Sequence, residues 1–273
     1  MIFFVTYCVQ CQAIFYFFKL TICLIFFSCS PLTKQKQIKR LPLLDSISET
    51  YPIFNEADST QLIKYKGFHL SYDESSEQAL WVSYILTKEM LQHSNVNRTN
   101  DFREDTMVIT YSAALSDYKK SGYDRGHLVP AADMKWSGQT MSESFLLSNM
   151  SPQKPKFNRG IWKKLEGKVR KWAMRDEMIC ISTGPLFIEV IDTIGENEVL
   201  VPSHYFKVIM DVFPPEYKGI AFIMENKQSN KPLLDHAVSI DSLEKLMDAN
   251  FIEQVPDDIE YLVESKLDIY KWK

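Results

Sequence analysis

Strand-like and helix-like runs do not alternate regularly along this chain, and that irregularity constrains its fold more than any other feature. Lys66-Gly67-Phe68-His69-Leu70-Ser71-Tyr72 alternates, the period of a half-buried strand, with His69 packed or facing solvent. Ala79 to Leu86 reads as a second strand or a strand edge, and Met107 to Tyr111 as a short strand. More strand-like runs follow at Met178 to Thr183, Tyr205 to Val212 and Gly219 to Met224. Gly184-Pro185 and Pro214-Pro215 punctuate them as turns or breaks. Two segments carry a helical period instead. Ile161, Leu165, Val169 and Trp172 form one apolar stripe at spacings of four, four and three. Leu243, Leu246 and Met247 form another, behind a capping-box-like start at Asp241 and Glu244. This order predicts one α+β domain over residues 41–273, a mixed central sheet with flanking helices.

The first 29 residues differ in kind, since Lys19 is their only charged side chain. Leu20 to Phe27 is a short apolar run ending at Ser28-Cys29-Ser30, too short to span a bilayer. It fits a signal peptide, and its similarity to bacterial lipoprotein signals implies a lipid on Cys29, although Phe26 stands where Leu is usual. The expectation is export, to the periplasm or outer membrane as a lipoprotein or else as a secreted protein. Residues 30–40 read as a tether, and the membrane is met only through the anchor. Four of the five cysteines lie in the leader, which leaves Cys180 alone in the domain. A disulfide framework within the domain and a thiolate zinc site are thereby excluded.

The net charge of -4 argues against a polyanion partner only on average. Between Ser151 and Arg175 there are nine basic residues against one acid, Glu166. Charge segregated in this way focuses potential and steers a polyanion. A solvated helix face accounts for the same run, so the chemistry must come from elsewhere.

It comes from Tyr123-Asp124-Arg125-Gly126-His127. On an extended chain Arg125 and His127 share one face, so a guanidinium can hold a phosphate beside an imidazole that handles a proton. Taken alone, Asp124-Arg125 as an ion pair and His127 as a packed residue explain the motif equally well. A second element narrows the choice. Ser148-Asn149-Met150-Ser151-Pro152-Gln153 leads to Phe157-Asn158-Arg159-Gly160 and then to the basic helix. On a regular helix Asn158 lies near the edge of the apolar stripe, with Glu166 about 80° around from it. An amide oxygen is a hard ligand suited to magnesium, which takes few protein ligands, and a nearby carboxylate can orient its water.

The run from Tyr123 to Arg175 resembles the DNA/RNA non-specific endonucleases, whose site is a ββα-metal, or His-Me finger, motif. Asp124 to His127, Ser148 to Gln153, Asn158-Arg159-Gly160 with Trp162, and Leu165-Glu166 carry the likeness. Gly184-Pro185 and Pro202 to Lys207 add to it, and it extends more loosely from about Phe68 to Phe251. The resemblance implies that His127 is the general base and Asn158 the metal ligand. It implies that Glu166 is a partner of water on the metal, that Arg125 contacts phosphate and that Asn149 orients the site. It also implies an upstream arginine, Arg98 by spacing with Arg103 as the alternative. His204 lies in a family-like strand and reads as structural. The implied cofactor is Mg2+, with Mn2+ or another divalent cation as substitutes. The implied substrates are DNA and RNA, cut without sequence specificity to 5′-phosphates. Arg125, Arg159, Lys163 and Lys164 are the expected backbone contacts. Two rival readings are a non-catalytic surface lipoprotein that binds polyanions, and a phosphodiesterase for small nucleotides or lipids. The sequence leaves an inhibitor protein unknown.

Overall fold

Residues 52–54, 60–253 and 255–273 are described by the computed structural model, so the expected leader and tether lie outside the described residues. Asp45–Lys273 forms one compact unit. Its strands are β1 (Ile53–Phe54), β2 (Thr60–Lys64), β3 (His69–Asp73), β4 (Gln78–Thr87), β5 (Asp124–His127) and β6 (Met150–Gln153). They continue as β7 (Met178–Ile194), β8 (Val199–Asp211), β9 (Lys218–Glu225), β10 (Ala237–Val238) and β11 (Ala249–Asn250). Seven of them make the central sheet in the order β10-β9-β8-β7-β4-β3-β2, and every pairing in it is antiparallel. β5 and β6 form a separate ribbon, and β1 pairs with β11. With its helices the fold is α+β.

The apolar stripe of the basic helix, Lys163–Asp176, does what its period dictates. Ile161, Leu165, Val169 and Trp172 are buried in one cluster with Tyr84, Ile181, Tyr205 and Ile209 of the sheet. Each such side chain contributes about 1.5–3 kcal/mol of transfer free energy, enough to hold a helix whose other face is charged. Trp172 Nε1 donates to the Trp272 carbonyl at 2.9 Å, tying the chain's end to the same layer.

Several local expectations are corrected. Met107 to Tyr111 is a pair of turns rather than a strand. Its apolar side chains Met107, Ile109 and Tyr111 are exposed, and Tyr111 takes a φ of 78°. Gly184-Pro185 is no break but lies inside β7, opposite Phe206 and Tyr205. A Cβ on Gly184 would meet the Leu80 carbonyl oxygen at 2.1 Å, so the glycine serves a close strand approach. Pro185 lies beyond Thr183, where pairing with β4 ends, so its missing N–H costs no bond on that side. The helix expected behind Asp241 spans Ile240–Met247 and is capped by Ser239, not Asp241, with Ile240 and Leu243 as its buried face.

Candidate active site

β5 and β6 pair antiparallel, His127 against Met150 and Asp124 against Gln153, and the chain then enters the basic helix. This is a ββα unit. Gly126 lies where a Cβ would stand 2.2 Å from Cδ of Gln153, so the ribbon closes only over glycine. The ribbon is fastened to the central sheet by buried polar groups. Ser151 Oγ donates to Gln78 Oε1 at 2.5 Å and lies 2.6 Å from the Tyr205 hydroxyl. Asn226 Nδ2 donates to the Pro152 carbonyl, and Asn226 Oδ1 accepts from Lys154 N.

His127 stands in an aromatic cradle. Its ring meets Phe102 edge-on at 5.6 Å and Phe145 at 5.0 Å between centroids. Those rings also carry the arginines: Arg125 lies 4.1 Å from the Phe102 centroid and Arg98 lies 4.7 Å from that of Phe145. Burial first, then the charges of Arg98 and Arg125, pull the His127 pKa down to about 3, while the Arg125 backbone carbonyl opposes them. The imidazole is therefore neutral at physiological pH, and its Nε2 is buried without a hydrogen-bond partner. A neutral ring nitrogen in that condition can accept a proton.

The loop that delivers Phe102 and Arg98 is pinned by Arg103. Its backbone bridges Leu146, and its guanidinium donates to the carbonyls of Asp101 and Ser142. The two arginines thus do different work: Arg103 holds the loop, and Arg98 lies close enough to His127 and Glu166 for its charge to act on both. Asn149 is fully buried. Its Nδ2 donates to the carbonyls of Val129 and Ser144, and its Oδ1 accepts from Val129 N. With its amide hydrogens spent, Asn149 braces the chain just after His127.

Asp124 has a function that sequence reasoning missed. It does not pair with its neighbour Arg125. Its carboxylate accepts from Asn158 Nδ2 at 2.9 Å and takes a two-point grip from Arg159 at 2.6 and 2.8 Å. This fixes which way the Asn158 amide faces, leaving Oδ1 as the end not held by Asp124. It also commits Arg159, an expected substrate contact, to the protein. Gly160 (φ -101°, ψ -112°) departs from helical geometry between Asn158 and the basic helix. The regular-helix geometry expected between Asn158 and Glu166 therefore does not hold, and Asp124 positions Asn158 instead.

Glu166 and Arg170, one turn apart, belong to a buried ionic group. Arg170 donates to Asp133 at 2.7 Å, and the Tyr84 hydroxyl donates to the other Asp133 oxygen at 2.8 Å. Lys207 is completely buried, its Nζ 4.8 Å from the Trp162 ring and without a hydrogen bond. Burial raises the Glu166 pKa to about 7, against the pull of Lys207. Burial lowers the Lys207 pKa to about 8, against Glu166 and Asp133. Lys207 was legible in principle. It alternates with Tyr205 and Ile209 on the buried face of β8, where a charge needs a reason.

Lys163, Lys164 and Lys171 are exposed along the basic helix, whereas Arg175 is spent on Asp176 and the carbonyls of Lys271 and Lys273. Arg170, counted with the basic run, turns inward. His204 lies on β8 beside Ser203, apart from these groups. Beside β5 an open cleft of about 390 Å³ is lined by Leu115, Tyr118, Lys119, Tyr123, Asp124 and Arg125.

The family profile of the DNA/RNA non-specific endonucleases matches residues 48–258, and the chain belongs to that family. It is 34% identical over 209 residues to mitochondrial endonuclease G of Homo sapiens, 71% of this chain and 70% of that one. It is 35% identical over 208 residues to the mitochondrial nuclease of Saccharomyces cerevisiae, 68% and 63% of the two chains. Among solved structures, the EndoG/EndoGI complex, described as the mechanism of EndoG inhibition, matches with a TM-score of 0.68 and 29% identity. The match covers 72% of this chain and 87% of that one. The chain is therefore a nuclease, a hydrolase acting on DNA and RNA, and the non-catalytic polyanion-binding reading is set aside.

The comparisons also correct the expected compartment. The human and yeast relatives are named mitochondrial nucleases, against export to the periplasm or outer membrane as a lipoprotein. The short apolar run behind that expectation reports hydrophobicity alone, which does not distinguish one membrane system from another. No helix among the described residues is long and apolar enough to cross a membrane.

Proposed function

We propose that residues 41–273 form a divalent-metal-dependent endonuclease domain that cuts phosphodiesters without base specificity and leaves 5′-phosphates. The observation that carries this reading is the neutral His127 imidazole, its Nε2 unpartnered, flanked by Arg98 and Arg125. His127 takes a proton from the attacking water. Arg98 and Arg125 hold the phosphate, and the Phe102 and Phe145 rings keep bulk water from solvating the base. Asn158 fits a hard cation, because Asp124 claims its Nδ2 and leaves the amide oxygen as donor. Asn158 would hold Mg2+, or Mn2+ or another divalent cation, with Glu166 as the supporting anion. When bound, the ion supplies charge neutralisation at the phosphate and the leaving oxygen. Lys163 and Lys164 meet the backbone of the nucleic acid, which carries no base information.

Plasmid cleavage with magnesium, and with chelator, tests the reading directly. Asn158→Ala is expected to raise the Mg2+ concentration needed for half-maximal rate. Glu166→Gln should do so more mildly, with a loss of about 10 to 100-fold at fixed Mg2+. If both variants titrate like the wild type, the metal is held elsewhere.

Charge reversal at Lys163 and Lys164 is expected to raise KM and leave kcat nearly unchanged. The log–log salt dependence of binding should flatten by roughly 0.9 per lost phosphate contact on duplex DNA. Measuring KM and kcat across salt concentrations decides it. An unchanged slope, or a loss confined to kcat, means that this face is only solvated.

A further inference from the structure

The open cleft of about 390 Å³ beside β5 adjoins the site, yet the nuclease chemistry leaves it unused. Its walls are mixed. Leu115, Tyr118 and Tyr123 give apolar surface, and Lys119 and Arg125 give positive charge. Lys154 adds a cation 3.9 Å from the Tyr123 ring centroid. Asp124, the only acid among the described lining residues, is already committed to Asn158 and Arg159. We propose that this cleft is a base subsite: it takes one unpaired nucleobase beside the phosphate, with the Tyr118 hydroxyl on the edge of that base, and it rests on Arg125 being the phosphate contact.

Tyr118 supplies an independent observation. It lines the cleft, it is only 6% exposed, and its buried hydroxyl has no hydrogen-bond partner among the described residues. A phenol both donates and accepts, and leaving it unpaired in the interior is costly. The polar groups around it are spent. Asp117, its neighbour in the chain, accepts from Ala114 N and from Asn197 Nδ2. The Tyr205 hydroxyl donates to the Pro152 carbonyl and lies against Ser151 Oγ. Arg125 is close enough for its charge to act on the Tyr118 hydroxyl, so the phenol and the phosphate contact serve one neighbourhood.

Chemistry and shape choose the occupant. A phosphate alone would use the cations and leave the apolar walls bare. An apolar ligand would leave the hydroxyl and the cations unanswered. A nucleotide answers all three: a flat ring for the apolar walls, polar atoms on its edge for the hydroxyl, and phosphates for Lys119 and Arg125. The cleft's volume also falls in the usual range for small-ligand sites. A base inside a duplex is stacked and paired, so it must be extruded before it can enter. The subsite therefore favours single strands over intact duplex. It discriminates little among the four bases, because one rotatable hydroxyl meets donors and acceptors alike.

The test uses the whole protein and a short single-stranded oligonucleotide with one cleavable linkage, either intact or lacking the base on one side of that linkage. The wild type should lose about fivefold or more in kcat/KM when one of the two flanking bases is removed. Tyr118→Phe should lose roughly 3 to 10-fold on the intact strand, the cost of one neutral hydrogen bond, and much less on the strand lacking that base or on duplex plasmid. Its Tm should not fall, because the hydroxyl has no partner within the fold. Leu115→Ala, at an exposed wall position, should likewise weaken the dependence on the base, and it serves if Tyr118→Phe does not fold. Three results overturn the subsite: a wild type indifferent to removal of either base, a Tyr118→Phe loss equal on all three substrates, or full dependence on the base in both variants. The same comparison by equilibrium binding of an uncleavable strand to His127→Ala involves no turnover, so the subsite and the nuclease mechanism stand or fall separately.

Discussion

His127→Ala is expected to lower kcat/KM on supercoiled plasmid by roughly 10² to 10⁴-fold, the usual cost of losing a general base. The fold should survive, because Nε2 makes no hydrogen bond and the rest of what is lost is one bond to the Arg125 backbone carbonyl and edge-on aromatic contacts. DNA binding should persist as well, since Arg98, Arg125 and the exposed lysines remain. Cleavage, a melting curve and an equilibrium binding assay on the same preparation separate these effects. Activity within threefold of the wild type removes His127 from the mechanism. The low His127 pKa adds a sign. The base is already deprotonated well below neutral pH, so the acid side of the rate profile does not belong to it.

On the proposed mechanism an acid limb is expected from Glu166, whose pKa burial raises to about 7 and Lys207 holds down. A carboxylate with a raised pKa is lost as pH falls, so activity should decline as pH drops through about 7. Lys207→Met keeps the length of the side chain and deletes its charge. Glu166 then loses its stabilising cation, its pKa rises, and the limb moves to higher pH. Each unit of displacement costs about tenfold at a fixed pH below the limb. Loss at neutral pH with recovery in alkaline buffer is the expected signature. A purely structural role for Lys207 would instead lower the rate by the same factor at every pH, and kcat/KM profiles tell the two apart.

The strands were legible because their runs alternate or are continuously apolar, and the basic helix because its stripe repeats at the helical period. The candidate site was legible where residue type and local spacing signal it, as with Arg125 and His127 two apart on one strand. What could not be read depends on distances across the chain. Gly184 looks like a break until Leu80 is placed against it. Gly160 interrupts the helix, so angular bookkeeping from Asn158 to Glu166 has no validity across it. Asp124 looks like the partner of the residue next to it, whereas its partners lie 34 and 35 residues away. Met107 to Tyr111 has strand-like composition, but its backbone meets the Gln61 side chain rather than a second strand.

The buried clasp between the ribbon and the sheet has a consequence for how this enzyme fails. Two strands joined only to each other are marginal in water, so the strand bearing His127 borrows its order from Gln78, Tyr205 and Asn226. The ribbon therefore cannot loosen as an autonomous piece while the scaffold stays sound. Heat inactivation and the melting of the scaffold become a single cooperative event. By the same reasoning, the catalytic hairpin is not a portable cassette, since grafted onto another protein it would leave behind the hydroxyl and amide groups that give it a shape.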